Sequence, residues 1–182
     1  MTRLILVVAL LAVAAGSSFA APVSTTQALN LAVNEVAMIG TGPTTPINLT
    51  IVAPATAGAA PANVSNNTNH LVYTSILPSA AVHRSVTAQM TGSAPTGTQL
   101  TLLAGADLNK GSGTVGTPAG AALVLSATAQ SLITGVGSVY TGSANTTDGH
   151  ILTYALEVVN VAALKATLPG AVTVTLTLTD AS

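Results

Sequence analysis

The sequence predicts an all-β chain, an antiparallel β-sandwich of about eight to nine short strands. Three observations predict it. Residues 172–179 place Val172, Val174, Leu176 and Leu178 between Thr173, Thr175, Thr177 and Thr179, the period of a strand with one buried face. The same alternation recurs along the chain in segments divided by 16 Gly and 9 Pro, enough breakers to end each one. No amphipathic stretch of helical length lies between the segments, which excludes the βαβ plan of a parallel sheet.

The elements follow in order. Residues 25–39 form the first strand, with Leu29, Leu31 and Val33 at alternate positions and a polar spacing that favours strand over helix; Gly40, Gly42, Pro43 and Pro46 end it. Ile47, Leu49 and Ile51 alternate with Asn48 and Thr50 in a second strand. Residues 54–69, rich in Ala, Pro, Gly, Asn and Ser, read as a long loop. Residues 70–77 form a third strand, Leu71 and Tyr73 on one face and Val72 and Ile76 on the other, closed by Pro78. Residues 84–90 form a fourth, with Val86, Ala88 and Met90 on one face. A turn around Pro95 leads into a fifth through Leu100, Leu102 and Ala104, and residues 107–120 are a Gly-rich loop. Leu123, Leu125 and Ala127 alternate, so residues 122–133 read as strand rather than short helix, and residues 136–141 as another strand. Asp148 and Gly149 predict a hairpin turn, because Gly accepts the positive φ that tight hairpins need. Residues 150–159 then form a strand in which Leu152, Tyr154, Leu156 and Val158 oppose Ile151, Thr153, Ala155 and Glu157. Residues 160–168 suit one helical turn over a sandwich edge, and Pro169 and Gly170 turn the chain into its last strand.

Composition bounds the setting. Arg3, an apolar run over residues 4–15, and small residues at Ser18 and Ala20 predict a secretory signal peptide over residues 1–20. The run is too short to span ~30 Å of hydrocarbon, and no later run approaches that length. Residues 21–182 are therefore expected to form one exported domain with no membrane span. In that domain Arg84, Lys110 and Lys165 face Glu35, Asp107, Asp148, Glu157 and Asp180. No basic run offers nucleic acid a surface. Cysteine and Trp are absent, and the aromatic residues past the leader are Tyr73, Tyr140 and Tyr154. The core must therefore be built from many Val, Leu and Ile, each contributing roughly 1.5–3 kcal/mol when fully buried. Charged residues are 5% of the chain, which leaves a hydroxyl-rich surface with little repulsion against self-association.

Reactive constellations are sparse. The run from Gly111 through Gly113 to Gly116 matches a dinucleotide fingerprint, but Pro118 and Gly120 follow where a helix must start. Asp107 and Asn109 resemble the start of a calcium loop, yet Pro118 stands where a bidentate Glu is needed and Lys110 adds a cation. His70, His83 and His150 show no metal-ligand spacing and read as exposed loop or strand-end residues. Glu35 and Glu157 are the best acid pair, and the plainer reading puts them on solvent faces or against Arg84 or Lys165. No G-x-S-x-G elbow is present. Asn48, Asn63, Asn66 and Asn145 head glycosylation triplets of the kind chance supplies in a chain rich in Asn, Ser and Thr. The Thr row of the last strand reads as a solvated face.

The terminal residues Leu176-Thr-Leu-Thr-Asp-Ala-Ser182 resemble the end of the WxL surface domains of bacteria, with Leu176 at the place of the Trp. They are also similar to the closing strands of fimbrial and spore-coat-U-like secreted sandwiches. The resemblance implies an Ig-like or fimbrial-like sandwich exported to a bacterial surface. The expected protein is secreted or held at the cell surface and is structural rather than enzymatic. No catalytic residue, cofactor or metal is expected. It would associate with itself or with other surface proteins, as in a pilus-like filament serving adhesion, by adding a strand to a neighbour's sheet edge. The candidate strand-exchange segment is residues 25–33, carrying Leu29, Leu31 and Val33. The alternative is a carbohydrate- or cell-wall-binding module that offers Tyr73, Tyr140 or Tyr154 to a glycan.

Overall fold

A computed structural model describes residues 22–143, 146–168 and 170–182. The expected leader, Asn145 and Pro169 lie outside the described residues. The chain divides into two units, Met1–Ala32 and Val33–Ser182; in the first, the described residues 22–32 hold neither strand nor helix. Within residues 33–182 the strands are β1 (Val36–Gly42), β2 (Val64–Ile76), β3 (Arg84–Thr91), β4 (Thr98–Asp107), β5 (Ser112–Gly113), β6 (Thr117–Pro118), β7 (Leu123–Val124), β8 (Gln130–Val136), β9 (Val139–Tyr140), β10 (His150–Val158) and β11 (Thr173–Leu178). They build two antiparallel sheets packed as a β-sandwich, as the alternation predicts.

The first sheet centres on β2. β1 pairs with it over His70–Ile76, β9 at Thr74 and Ser75, and β10 over Val64–Leu71. A strand has two edges, and β1 overlaps both other partners, so β9 and β10 share the edge opposite β1. β5 continues the sheet beyond β9, and β4 and β7 continue it beyond β10. The second sheet runs β11-β3-β8-β6. Leu71, Tyr73, Leu102 and Leu152 of the first sheet meet Val86, Ala88, Leu132, Ile133 and Val136 of the second in one core. That core has aliphatic filling around two tyrosines, as the composition requires.

Several expectations are corrected. The first strand begins at Val36, not at residue 25, and runs on through Gly42 until Pro43, which lacks a ladder donor. Alternation prepares a segment for a sheet, but residues 25–35 gain no partner strand. Ile47, Leu49 and Ile51 keep the alternation in their burial, with Ile47 and Leu49 against the core, yet form no ladder. Residues 64–69, read as loop, belong to β2, because pairing with β10 overrides the low strand preference of Ser and Asn. The Gly-rich loop holds two bridge-length strands, β5 and β6, and residues 122–133 divide between β7 and β8.

Asp148 and Gly149 do turn the chain, with Gly149 at φ 69°. A Cβ there would lie 2.0 Å from the Leu71 carbonyl oxygen. The turn makes no hairpin, however. It closes a loop inserted between β9 and β10, which lie in succession along one edge of β2. The expected helical turn is a single 3₁₀ turn, Val161–Ala163, capped by the Asn160 side chain accepting from Ala162 N–H at 3.1 Å.

Candidate functional site

Among the described residues β1 ladders only with β2, and β11 only with β3, so both are edge strands of their sheets. They border one opening into the sandwich. One end of it is clamped. Arg84, at the start of β3, is 3% exposed and pairs through Nη2 with Glu35, just before β1. Its Nη1 donates to the Thr179 carbonyl at 2.7 Å, just after β11. Below the clamp, Thr179 N–H donates to the Ser85 carbonyl, and His83 and Ser182 exchange backbone bonds of 3.1 and 3.2 Å, which fix the chain end to β3.

Away from the clamp the two strands line a groove of about 190 Å³ with Ile39, Gly40, Thr41, Val174 and Leu176 on its sides and Tyr154 at its base. Burial pushes the Tyr154 hydroxyl up to about 12, so it stays protonated. The inward residues Val172, Val174, Leu176 and Leu178 are only half-buried, although they pack on the core. The seam thus leaves core-facing apolar surface at two adjacent strand edges. Thr173, Thr175 and Thr177 face solvent on the other side of β11.

The other residues singled out by sequence separate. Leu29, Leu31 and Val33 are 74%, 90% and 82% exposed. Tyr73 and Tyr154 are buried, and Tyr140 alone of the tyrosines is open, at 52%. Tyr140 on β9 pairs with Thr74 of β2 and Ser112 of β5, and Thr74 pairs with Met38 of β1. These four therefore form one cross-strand row on the outer face. A shallow groove of about 290 Å³ beside the row is lined by Thr74, Ile76, Ser112, Ser138 and Tyr140, with no charged side chain. Glu35 and Glu157 are not brought together: Glu35 is on Arg84, and Glu157 accepts from Gln99 Nε2 at 2.7 Å.

The glycines of the fingerprint run allow close backbone approach. A Cβ on Gly111 would lie 1.7 Å from the Tyr140 carbonyl oxygen. Asp107 caps its own turn by accepting from Asn109 N–H at 2.8 Å. Among the described residues no group of three or more His, Asp or Glu side chains converges, and no helix is long and apolar enough to cross a membrane.

The histidines correct the sequence reading in part. His83 is exposed, whereas His70 and His150 are buried. His70 Nδ1 lies 3.1 Å from the Asp148 carbonyl. His150 contacts the Gly105 carbonyl through Nδ1 and the Tyr73 hydroxyl through Nε2, each at 2.8 Å. The Tyr73 hydroxyl also meets the Val115 carbonyl. The signal was present: His150 shares the parity of Leu152 and Tyr154, and Tyr73 that of Leu71, so alternation turns both inward. No protein family, curated protein or solved structure matches the chain.

Proposed function

We propose that the protein is an exported, non-enzymatic structural subunit of a bacterial surface whose copies join by strand addition. The seam between β1 and β11 carries this reading. Two adjacent edges and a half-covered apolar wall are what an added strand needs, since backbone bonds supply affinity and alternate side chains supply fit. Residues 25–33 of a neighbouring copy suit it. They are uncharged, unladdered and apolar at every second position through Leu29, Leu31 and Val33, the spacing of Val174 and Leu176. Because the chain lacks cysteine, Leu31→Cys and Val174→Cys copies report the contact directly. Mixing the two single variants under oxidation is expected to give a mixed disulfide, and electron microscopy of the unmodified protein to show filaments that vanish on deleting residues 21–33. A protein that stays monomeric at high concentration and forms no mixed disulfide would overturn the reading.

A second reading rests on Tyr140. An exposed ring flanked by Thr74 and Ser112 hydroxyls, beside an uncharged groove, suits a neutral sugar ring stacked on the tyrosine. Binding to members of a neutral glycan panel, lost in Tyr140→Ala, is expected if it holds; silence across the panel removes it.

A further inference from the structure

The polar line through His150 has one more contact than a neutral pair has protons. From end to end it reads Gly105 carbonyl, His150 Nδ1, His150 Nε2, Tyr73 hydroxyl, Val115 carbonyl. Both ends are carbonyls, which only accept. The three contacts therefore need three hydrogens. A neutral imidazole and a phenol hold two. If Nδ1–H donates to Gly105, the Tyr73 hydroxyl must serve either Nε2 or Val115, and the other contact sets lone pair against lone pair. An imidazolium fills all three: Nδ1–H to Gly105, Nε2–H to the Tyr73 oxygen, and the Tyr73 hydroxyl to Val115.

The surroundings hold a countercharge. Asp107 stands opposite His150 in the pairing of β4 with β10, and its Oδ1 is buried without a hydrogen-bond partner. The Tyr73 ring stacks on His150 with centroids 5.6 Å apart. The other titratable groups on β10 and the elements flanking it are Tyr154 and Glu157 on β10, His70 on β2, Asp148 in the turn before β10, and Lys110 and Tyr140 near β5 and β9. Against protonation stands burial, which pushes His150 below its ordinary value.

We infer that His150 and Tyr73 form a proton-operated latch on the crossover from β5 to β6. Val115 lies between β5, at the margin of the first sheet, and β6, at the margin of the second. Uptake of one proton from solvent by His150 completes the line and fastens Val115 to β2, β10 and β4. Loss of that proton leaves one contact unmade and loosens the crossover at Val115, while the backbone bonds of Thr114 with Ser138 and Gly137 remain.

Nitrogen-15 NMR of the histidine rings, with amide exchange measured on the same protein across acidic to neutral pH, tests this. His150 is expected to pass from one protonated ring nitrogen to two before the fold is lost. Through that transition, exchange at residues 113–117, corrected for intrinsic rate, should slow roughly fivefold, the worth of one hydrogen bond. Asp107→Asn should move the transition to lower pH. Tyr73→Phe should leave His150 titrating but abolish the change in exchange. A His150 ring that keeps one proton down to acid unfolding, or a crossover whose protection is flat through the transition, overturns the inference using the unsubstituted protein alone.

Discussion

Arg84 joins the two sheets of the sandwich at one end of the seam. It is a nearly fully buried cation that ties the start of β1 to the end of β11. The two ends of the pair are not equivalent. The Glu35 side chain is 47% exposed and returns to water easily, whereas Arg84 without Glu35 is a buried charge held by the Thr179 carbonyl, with Asp180 Oδ1 4.0 Å away and Nε already unpartnered. Glu35→Gln is therefore expected to cost about 1–2 kcal/mol, below the 3–5 of a fully enclosed pair because solvent screens the carboxylate; urea unfolding measures it. His150 gives a second prediction at this scale. Its proton is bound more weakly in the fold than in the unfolded chain, so its contribution to stability is whole above the ordinary value of 6.5 and is lost as pH falls from there toward the lowered native value. Denaturation midpoints should drop between pH 7.5 and 5.5, and His150→Gln should flatten that slope. Global stability and protection of the crossover then move in opposite directions with acid, because burying the charge costs more than the added hydrogen bond returns.

The elements divide into a closed middle and an open margin. Leu152 on β10 and Ile133 on β8 are fully enclosed, so Leu152→Ala is expected to cost about 2–5 kcal/mol. Leu176 on β11 has the same chemistry but a half-buried place, and Leu176→Ala should cost no more than about half as much in thermal or urea unfolding of the monomer. The same division marks what could be read from sequence. β3, β4, β10 and β11 were legible because each alternates and has a partner over most of its length. Residues 25–35 alternate just as well but enter no ladder among the described strands, and alternation cannot say whether a partner exists. Residues 64–69 fail in the opposite sense: their Asn and Ser look like loop, and only the distant β10 makes them strand. The seam was invisible for the same reason, being a relation between residues 35–42 and 172–179. The buried Tyr73–His150 line was half legible, since parity turns both side chains inward while nothing local places the Gly105 and Val115 carbonyls at its ends.

At the scale of the whole molecule the governing fact is how little charge there is. Charged residues are 5% of the chain, residues 25–33 have none, and the seam groove is lined without one. Association through the seam would rest on apolar burial and backbone hydrogen bonds, neither of which depends on an ionic atmosphere. Raising sodium chloride from about 0.05 to 0.5 M shortens the Debye length from roughly 14 to 4 Å, yet should change the dissociation constant of assembled copies by less than about twofold. Ammonium sulfate, excluded from exposed surface, should strengthen association over the same ionic strength. The Glu35–Arg84 clamp pairs its two charges within each copy, so Glu35→Gln should lower monomer stability without altering this salt profile. Sedimentation velocity in the two salts separates the cases. Association that weakens steeply with sodium chloride would mean copies meet through charged surface away from the seam, and the strand-addition geometry would have to be abandoned even if filaments form.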